Sequence, residues 1–160
     1  MTRRNLLALL SAIGLGPRVA EAQTQALPPG IEPLRLADAE WKKRLAPEAY
    51  DVLRHEGTER AGTSPLNAEK RKGRFHCAGC DLPLFGSEAK FESGTGWPSF
   101  FAPLPGAVVT RTDYKLVFPR TEYHCVRCEG HQGHVFSDGP APTGKRYCNN
   151  GVALKFVVAA

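Results

Sequence analysis

Apolar positions recur every three to four residues between Asp38 and Arg54, with Trp41 and Leu45 at i and i+4 and Tyr50 and Leu53 at i and i+3. That spacing predicts helix. Pro47 interrupts the run and suits the first position of a second short helix, Asp38 is the expected N-cap, and Gly57 is expected to end the segment. From Gly73 onward the pattern shifts toward a period of two. Ala107 to Thr110 and Lys115 to Phe118 read as strands flanking Asp113, and Glu122 to Val126 as another. Val152, Leu154, Phe156 and Val158 alternate with other residues, as in a half-buried strand. The pattern predicts an antiparallel, mostly β domain with small helices at its N-terminal end, packed outside a sheet.

The first 22 residues follow a different logic. Arg3 and Arg4 precede an apolar run from Leu6 to Leu15, and Ala20-Glu21-Ala22 follows. This is the charged, apolar, small-residue order of a cleavable export signal. The run is far shorter than the roughly 20 residues a membrane span needs. The paired arginines resemble a twin-arginine signal, a route for proteins that fold before crossing. The expected organisation is a signal over 1–22, a Pro-rich tether over 23–37 and one domain over 38–160, located in the periplasm or otherwise exported.

With 160 residues the chain is long enough for one domain with a substantial core. Its net charge of +5 hints at nucleic acid. Three arginines (Arg3, Arg4, Arg18) and Glu21 lie in the signal, which takes +5 to +3, and a dication on four thiolates would lower it by two more. The densest basic patch, Lys70, Arg71, Lys72 and Arg74, reads as a solvated turn, so no nucleic-acid partner is expected.

Four of the five cysteines form two C-x-x-C pairs, Cys77/Cys80 and Cys125/Cys128, separated by 44 residues. Each pair begins the same way: Phe75-His76-Cys77 in one and Tyr123-His124-Cys125 in the other. Two thiolates from one turn can take adjacent corners of a zinc tetrahedron, and two such turns complete a four-thiolate site with no open position. The reading is one structural Zn2+ per chain, contributing on the order of 10 kcal/mol to folding. Disulfides are the rival in an oxidising compartment, but local bridges would close tiny loops and stabilise little. A zinc ribbon places its pairs roughly 15–20 residues apart. A zinc deaminase needs an H-x-E motif and an open metal position; the motif is absent from the sequence.

Cys148 is left over. A buried structural thiol is one reading. Against it, His131, His134, Asp138, Lys145, Arg146 and Asn150 crowd the same Gly- and Pro-containing stretch, as convergent polar groups do at a site. A thiol of unperturbed pKa near 8.5 is only about 3% thiolate at pH 7. A guanidinium two residues away on a strand, Arg146, is placed to lower it by roughly two units.

The stretches Phe91-Glu92-Ser93-Gly94-Thr95-Gly96-Trp97-Pro98-Ser99-Phe100, Gly133-His134-Val135-Phe136-Ser137-Asp138-Gly139-Pro140 and Pro142-Thr143-Gly144-Lys145-Arg146-Tyr147-Cys148 resemble the B-type peptide methionine sulfoxide reductases, which act on the R epimer at sulfur. The resemblance runs from about Glu40 to Phe156, and the four paired cysteines fall where zinc-bearing members place theirs. It implies two small antiparallel sheets, a β-tent type of fold. It implies that the Cys148 thiolate attacks the sulfoxide sulfur, oxygen leaves as water and a sulfenic acid remains. His131 and His134 would protonate the oxygen and hold water, Asp138 and Arg146 would orient and balance charge, Asn150 matches a site asparagine, and Trp97 would wall a pocket for the substrate methyl. Core packing is the other reading of Trp97.

Two departures from the family pattern stand out. Thr95 occupies the position where many members carry a resolving cysteine, so the expected cycle uses one cysteine and an external, thioredoxin-like thiol donor. Asn149 and Gly151 replace an apolar residue and a serine beside Asn150. A monomeric repair enzyme of oxidised proteins is the resulting expectation. An inactive zinc-stapled binding module and a cysteine hydrolase are the competing classes.

Overall fold

A computed structural model describes residues 27–160. The expected export signal lies outside the described residues. Two short helices come first, α1 (Asp38–Arg44) and α2 (Pro47–His55). Pro47 opens α2, where its missing N–H costs nothing. Asp38 is not the N-cap of α1. That position belongs to Ala37, whose N–H is accepted by the Glu40 carboxylate, while Asp38 sits inside the helix and binds the Tyr50 hydroxyl and Lys42. The left-handed residue that closes α2 is Glu56, one position before Gly57.

Nine strands follow: β1 (Gly73–Cys77), β2 (Pro83–Gly86), β3 (Lys90–Phe91), β4 (Ser99–Phe100), β5 (Val108–Asp113), β6 (Arg120–Cys125), β7 (His131–Phe136), β8 (Arg146–Asn149) and β9 (Leu154–Val158). They form two antiparallel sheets, β2-β1-β9 and β3-β4-β8-β7-β6-β5. Phe75 and Phe85 of the small sheet meet Phe100, Tyr123 and Tyr147 of the large one. Phe85 stacks on Phe100 at 4.1 Å between centroids, and Phe75 meets Phe100 edge-on at 4.9 Å. Such aromatic contacts add about 0.5–1.5 kcal/mol each beyond burial. The apolar face of α2, with Ala49, Tyr50, Val52 and Leu53 buried, lies against β7.

Lys115 to Phe118 is not a strand. β5 and β6 pair in register from Val108↔Cys125 to Asp113↔Arg120, and the Asp113–Arg120 ion pair at 2.6 Å closes the ladder there. The intervening Tyr114, Leu116, Val117 and Phe118 are exposed at the hairpin tip. The final alternation also begins late: a 3-10 turn occupies Gly151–Ala153, and β9 starts at Leu154. Of the segment read as a tether, the described part lies on the body, with Leu34 and Leu36 packed on the core and the Leu34 N–H bonded to the Arg127 carbonyl at 2.8 Å.

Candidate active site and metal centre

The echo in the sequence is an echo in structure. Each C-x-x-C turn leaves the end of a strand, β1 or β6, and closes with a left-handed residue, Asp81 or Glu129. The N–H of that residue returns to the first cysteine's carbonyl at 2.9 Å in both turns. His76 Nδ1 then meets the Asp81 carbonyl at 2.8 Å, and His124 Nδ1 meets the Glu129 carbonyl at 3.2 Å. The turns face each other, with Cys77 Sγ 3.6 Å from Cys128 Sγ and Cys80 Sγ 3.4 Å from Cys125 Sγ. All four thiols are buried and lie within 4.8 Å of one another.

Four sulfurs each about 2.3 Å from a tetrahedral zinc stand roughly 3.8 Å apart, so this four-cysteine cluster is consistent with a structural zinc site. Three guanidiniums brace the turns through carbonyls: Arg44 to Gly79, Arg54 to Cys128 and Arg127 to Cys80, at 2.8, 2.9 and 2.9 Å. Zinc held here would supply cross-linking of β1 to β6, and no chemistry at an open position.

Cys148 stands apart from that cluster. It lies on β8, half-buried, at a cavity of about 140 Å³ that Trp97, Arg120, His134, Phe136 and Asn150 also line. Directly opposed residues on neighbouring strands share a face. One such row crosses the large sheet: Ser99 on β4, Cys148 on β8, His134 on β7 and Glu122 on β6. The ladder therefore delivers His134 beside the thiol. Its Nε2 lies 2.8 Å from Asp113 Oδ2, a pure acceptor, so Nε2–H donates and Nδ1 is left for other chemistry. Asp113 also accepts from the Lys115 N–H and from Arg120. These bonds, the Lys115 one foremost, hold its carboxyl well below the usual range.

The other sequence-derived candidates divide. Trp97 lines the cavity, and its indole N–H donates to the Glu59 carbonyl at 3.1 Å. Asn150 has both ends of its amide engaged, accepting from the Glu59 N–H and donating to the Gln132 carbonyl at 3.0 Å each. Arg146 forms a two-pronged pair with Asp138 at 2.9 Å per bond and lies over the Phe136 ring. Asp138 itself is exposed, at the far end of that pair. His131 does not line the Cys148 cavity. It is 2% exposed, 5.5 Å from the His134 ring between centroids, and its Nδ1 lies 2.5 Å from Glu122 Oε1. Burial pulls this imidazole down to about 4 against the pull of Glu122, so it is neutral at pH 7.

The expected depression of the Cys148 thiol is not what the resting pocket produces. Burial pushes the thiol up, and the Arg146 guanidinium and Thr95 hydroxyl offset this only in part. Partial withdrawal from water costs the anion more than one guanidinium, itself paired with Asp138, returns.

Sequence reasoning missed Asp113, Arg120, Glu122 and Glu59 as supports. Glu59 accepts from the Gly151 N–H at 2.5 Å and the Val152 N–H at 3.0 Å, fixing the turn after β8. Gly151 fits because a side chain there would strike the Ser64 hydroxyl. Asn149, the other unusual residue, joins a fully buried network. The Tyr123 hydroxyl donates to its side-chain oxygen at 2.6 Å, its amide donates to Gln132 at 3.4 Å, and the Gln132 amide reaches Cys77 Sγ at 3.4 Å. No helix among the described residues is long and apolar enough to cross a membrane.

Comparison with known proteins follows the same residues. The SelR domain model matches residues 45–158. The chain is 53% identical over 121 residues to the chloroplastic peptide methionine sulfoxide reductase B1 of Arabidopsis thaliana, covering 75% of this chain and 60% of that protein. The corresponding protein of Oryza sativa is 51% identical over 121 residues, 75% of this chain and 56% of its own length. The peptide methionine sulfoxide reductase MsrB of Agrobacterium fabrum is 51% identical over 121 residues, 75% of this chain and 90% of its length. The chain thus spans less than two thirds of the two plant proteins.

Proposed function

The chain belongs to the MsrB-type peptide methionine-R-sulfoxide reductase family, and we propose on that basis that it reduces methionine-R-sulfoxide in peptides or proteins to methionine, with Cys148 as the nucleophile. The observation that carries this reading is the division among the cysteines. Four thiols face one another in a buried cluster, and the fifth opens onto a cavity shared with a histidine, a tryptophan and an arginine.

The Cys148 sulfur attacks the sulfoxide sulfur. Its own proton and one more, passed through His134 Nδ1, convert the sulfoxide oxygen to water as the S–O bond breaks. A water molecule then attacks the Cys148 sulfur, releasing the thioether and a proton and leaving Cys148 as a sulfenic acid. Overall one sulfoxide is reduced by two electrons and one thiol is oxidised by two. Asp113 holds the His134 ring in position. Arg146, fixed by Asp138, stabilises the thiolate that forms. Trp97 and Phe136 offer apolar walls for the methyl group. His131 acts behind His134 rather than from the cavity.

Thr95 belongs to a hydroxyl chain running through Ser93 to Ser99, at 2.8 Å per link, and Ser99 is the cross-strand neighbour of Cys148. No second thiol faces the cavity among the residues that line it. The sulfenic acid is therefore returned to thiol by an external dithiol donor of thioredoxin-like chemistry. The signal-like segment, Arg3-Arg4 followed by Leu6 to Leu15 and Ala20-Glu21-Ala22, supports export before this work is done; cell fractionation of the Arg3→Lys, Arg4→Lys variant reads the route.

The direct test separates the two epimers of a blocked methionine sulfoxide with dithiothreitol as donor. The R epimer is consumed, the S epimer is not, and Cys148→Ser retains one zinc but no turnover. Turnover of neither epimer would leave a zinc-stapled binding module; turnover surviving in Cys148→Ser would move the nucleophile elsewhere.

A further inference from the structure

A second group of ligand-type side chains, outside both the four-cysteine cluster and the Cys148 cavity, has its own unexplained geometry. Glu122 and His124 on β6 and His131 on β7 are 6%, 2% and 2% exposed. Glu122 Oε1 lies 2.5 Å from His131 Nδ1 and 3.1 Å from His124 Nε2. One donor atom from each residue lies within 4.8 Å of those of the other two.

The tautomer of His124 is fixed by its other nitrogen. Nδ1 meets the Glu129 carbonyl, which only accepts, so Nδ1 carries the hydrogen. His124 Nε2 is left facing a carboxylate oxygen 3.1 Å away, and the two make no hydrogen bond. Two electron-rich atoms so placed, away from water, repel one another unless positive charge lies between them. His131 Nε2 is likewise buried and without a partner.

A polar cavity of about 180 Å³ opens beside the two rings. Glu56 and Glu129 face it with Arg54 and Arg111, and Arg54 is already engaged by the Cys128 carbonyl. Glu56 is paired with Lys115 and Glu129 lies 3.9 Å from Arg35, so both cavity carboxylates already have cations, and Glu122 is the carboxylate aimed at the two rings.

We propose that Glu122, His124 and His131 form a second metal site, for a first-row divalent cation such as Zn2+, Fe2+ or Co2+. Two imidazoles and one carboxylate are the donor set such ions take, with further positions open to water. Ligand atoms about 2.1 Å from a cation and at right angles to each other lie roughly 3 Å apart, matching the His124–Glu122 separation. The Nδ1–H bond from His124 to a backbone carbonyl is the support that metal-bound histidines ordinarily have. The adjacent cavity has room for the remaining water ligands. Unlike the closed four-cysteine cluster, this site is exchangeable. Glu122 is also the cross-strand neighbour of His134, which places the site in the row that passes through Cys148.

The test starts from protein that retains its one thiolate-bound zinc after brief EDTA treatment and dialysis. Co2+ is titrated in and followed by calorimetry and visible absorption. One further equivalent is expected to bind, with weak d–d bands and without the intense sulfur-to-cobalt band that exchange into the four-thiolate site would give. His124→Ala and Glu122→Gln should each weaken that binding by more than about a hundredfold, the upper end of what loss of a mere supporting group costs. Unchanged zinc content and circular dichroism show that the variants are folded. Absence of a second equivalent in the wild type up to millimolar Co2+ overturns the proposal, since a proton then fills the gap. Binding that survives both substitutions overturns it as well, and marks an adventitious surface ion.

Discussion

Gly133→Ala tests how tightly the sheet holds Cys148, the proposed nucleophile. Gly133 lies on β7 opposite Asn149, beside the β8 backbone. A methyl group there would sit 1.9 Å from the Cys148 carbonyl oxygen, 3.0 Å from its carbonyl carbon and 3.3 Å from Asn149 Cα. An ordinary carbon–oxygen contact is about 3.3 Å or more, so the two strands must separate by roughly 1.4 Å. All three obstructing atoms are backbone, and no side chain can turn away to relieve the clash.

Overpacking of this kind costs about 1–3 kcal/mol. A displacement of about 1 Å at reacting atoms costs roughly a hundredfold in rate. The expectation is a folded variant with one zinc per chain, a lowered melting temperature and kcat/KM reduced about a hundredfold in the epimer-resolved sulfoxide assay. Gly144→Ala is the control. Gly144 has φ +68° and open space around its Cα, so the change should cost about 1 kcal/mol of stability and leave kcat/KM alone. A folded Gly133→Ala enzyme with wild-type kcat/KM would refute the claim that the β7–β8 ladder positions the thiol.

Two further outcomes follow from the same structure. Because burial holds the Cys148 thiol above its ordinary range, its alkylation rate should climb with pH and reach its midpoint above that of a free cysteine; a midpoint below 7 would show a depressed thiol after all. Chelation of the thiolate-bound metal in mild denaturant should unfold the domain, since about 10 kcal/mol of metal binding rivals the whole stability of a protein this size; circular dichroism unchanged by zinc loss would make the metal incidental.

Much of this was legible in the residues. The two C-x-x-C turns carry their own geometry, because two thiolates three residues apart can share one metal. Pro47 marked the start of α2 because only a first-turn position tolerates it. The polar stretch around Cys148 marked the segment on which the cavity opens. What escaped was set by pairing between distant segments. Asp113 became the partner of His134 only because β5, β6 and β7 align in one register. Tyr114 to Phe118 has strand-like composition, yet the Asp113–Arg120 pair ends the ladder before it. The Arg146–Cys148 relation was right in face, as i and i+2 on β8 require, and wrong in outcome. Burial of a thiol is a property of the packed sheet, and no local spacing reports it.

The most direct test of one free thiol doing the chemistry is mass analysis of the zinc-loaded chain after a single equivalent of R-sulfoxide, quenched with a sulfenic-acid trap and no reductant. One adduct, on the peptide carrying Cys148, with zinc retained, is the expected result. A disulfide between Cys148 and any of Cys77, Cys80, Cys125 or Cys128, or an unmodified Cys148 after sulfoxide has been consumed, would contradict it.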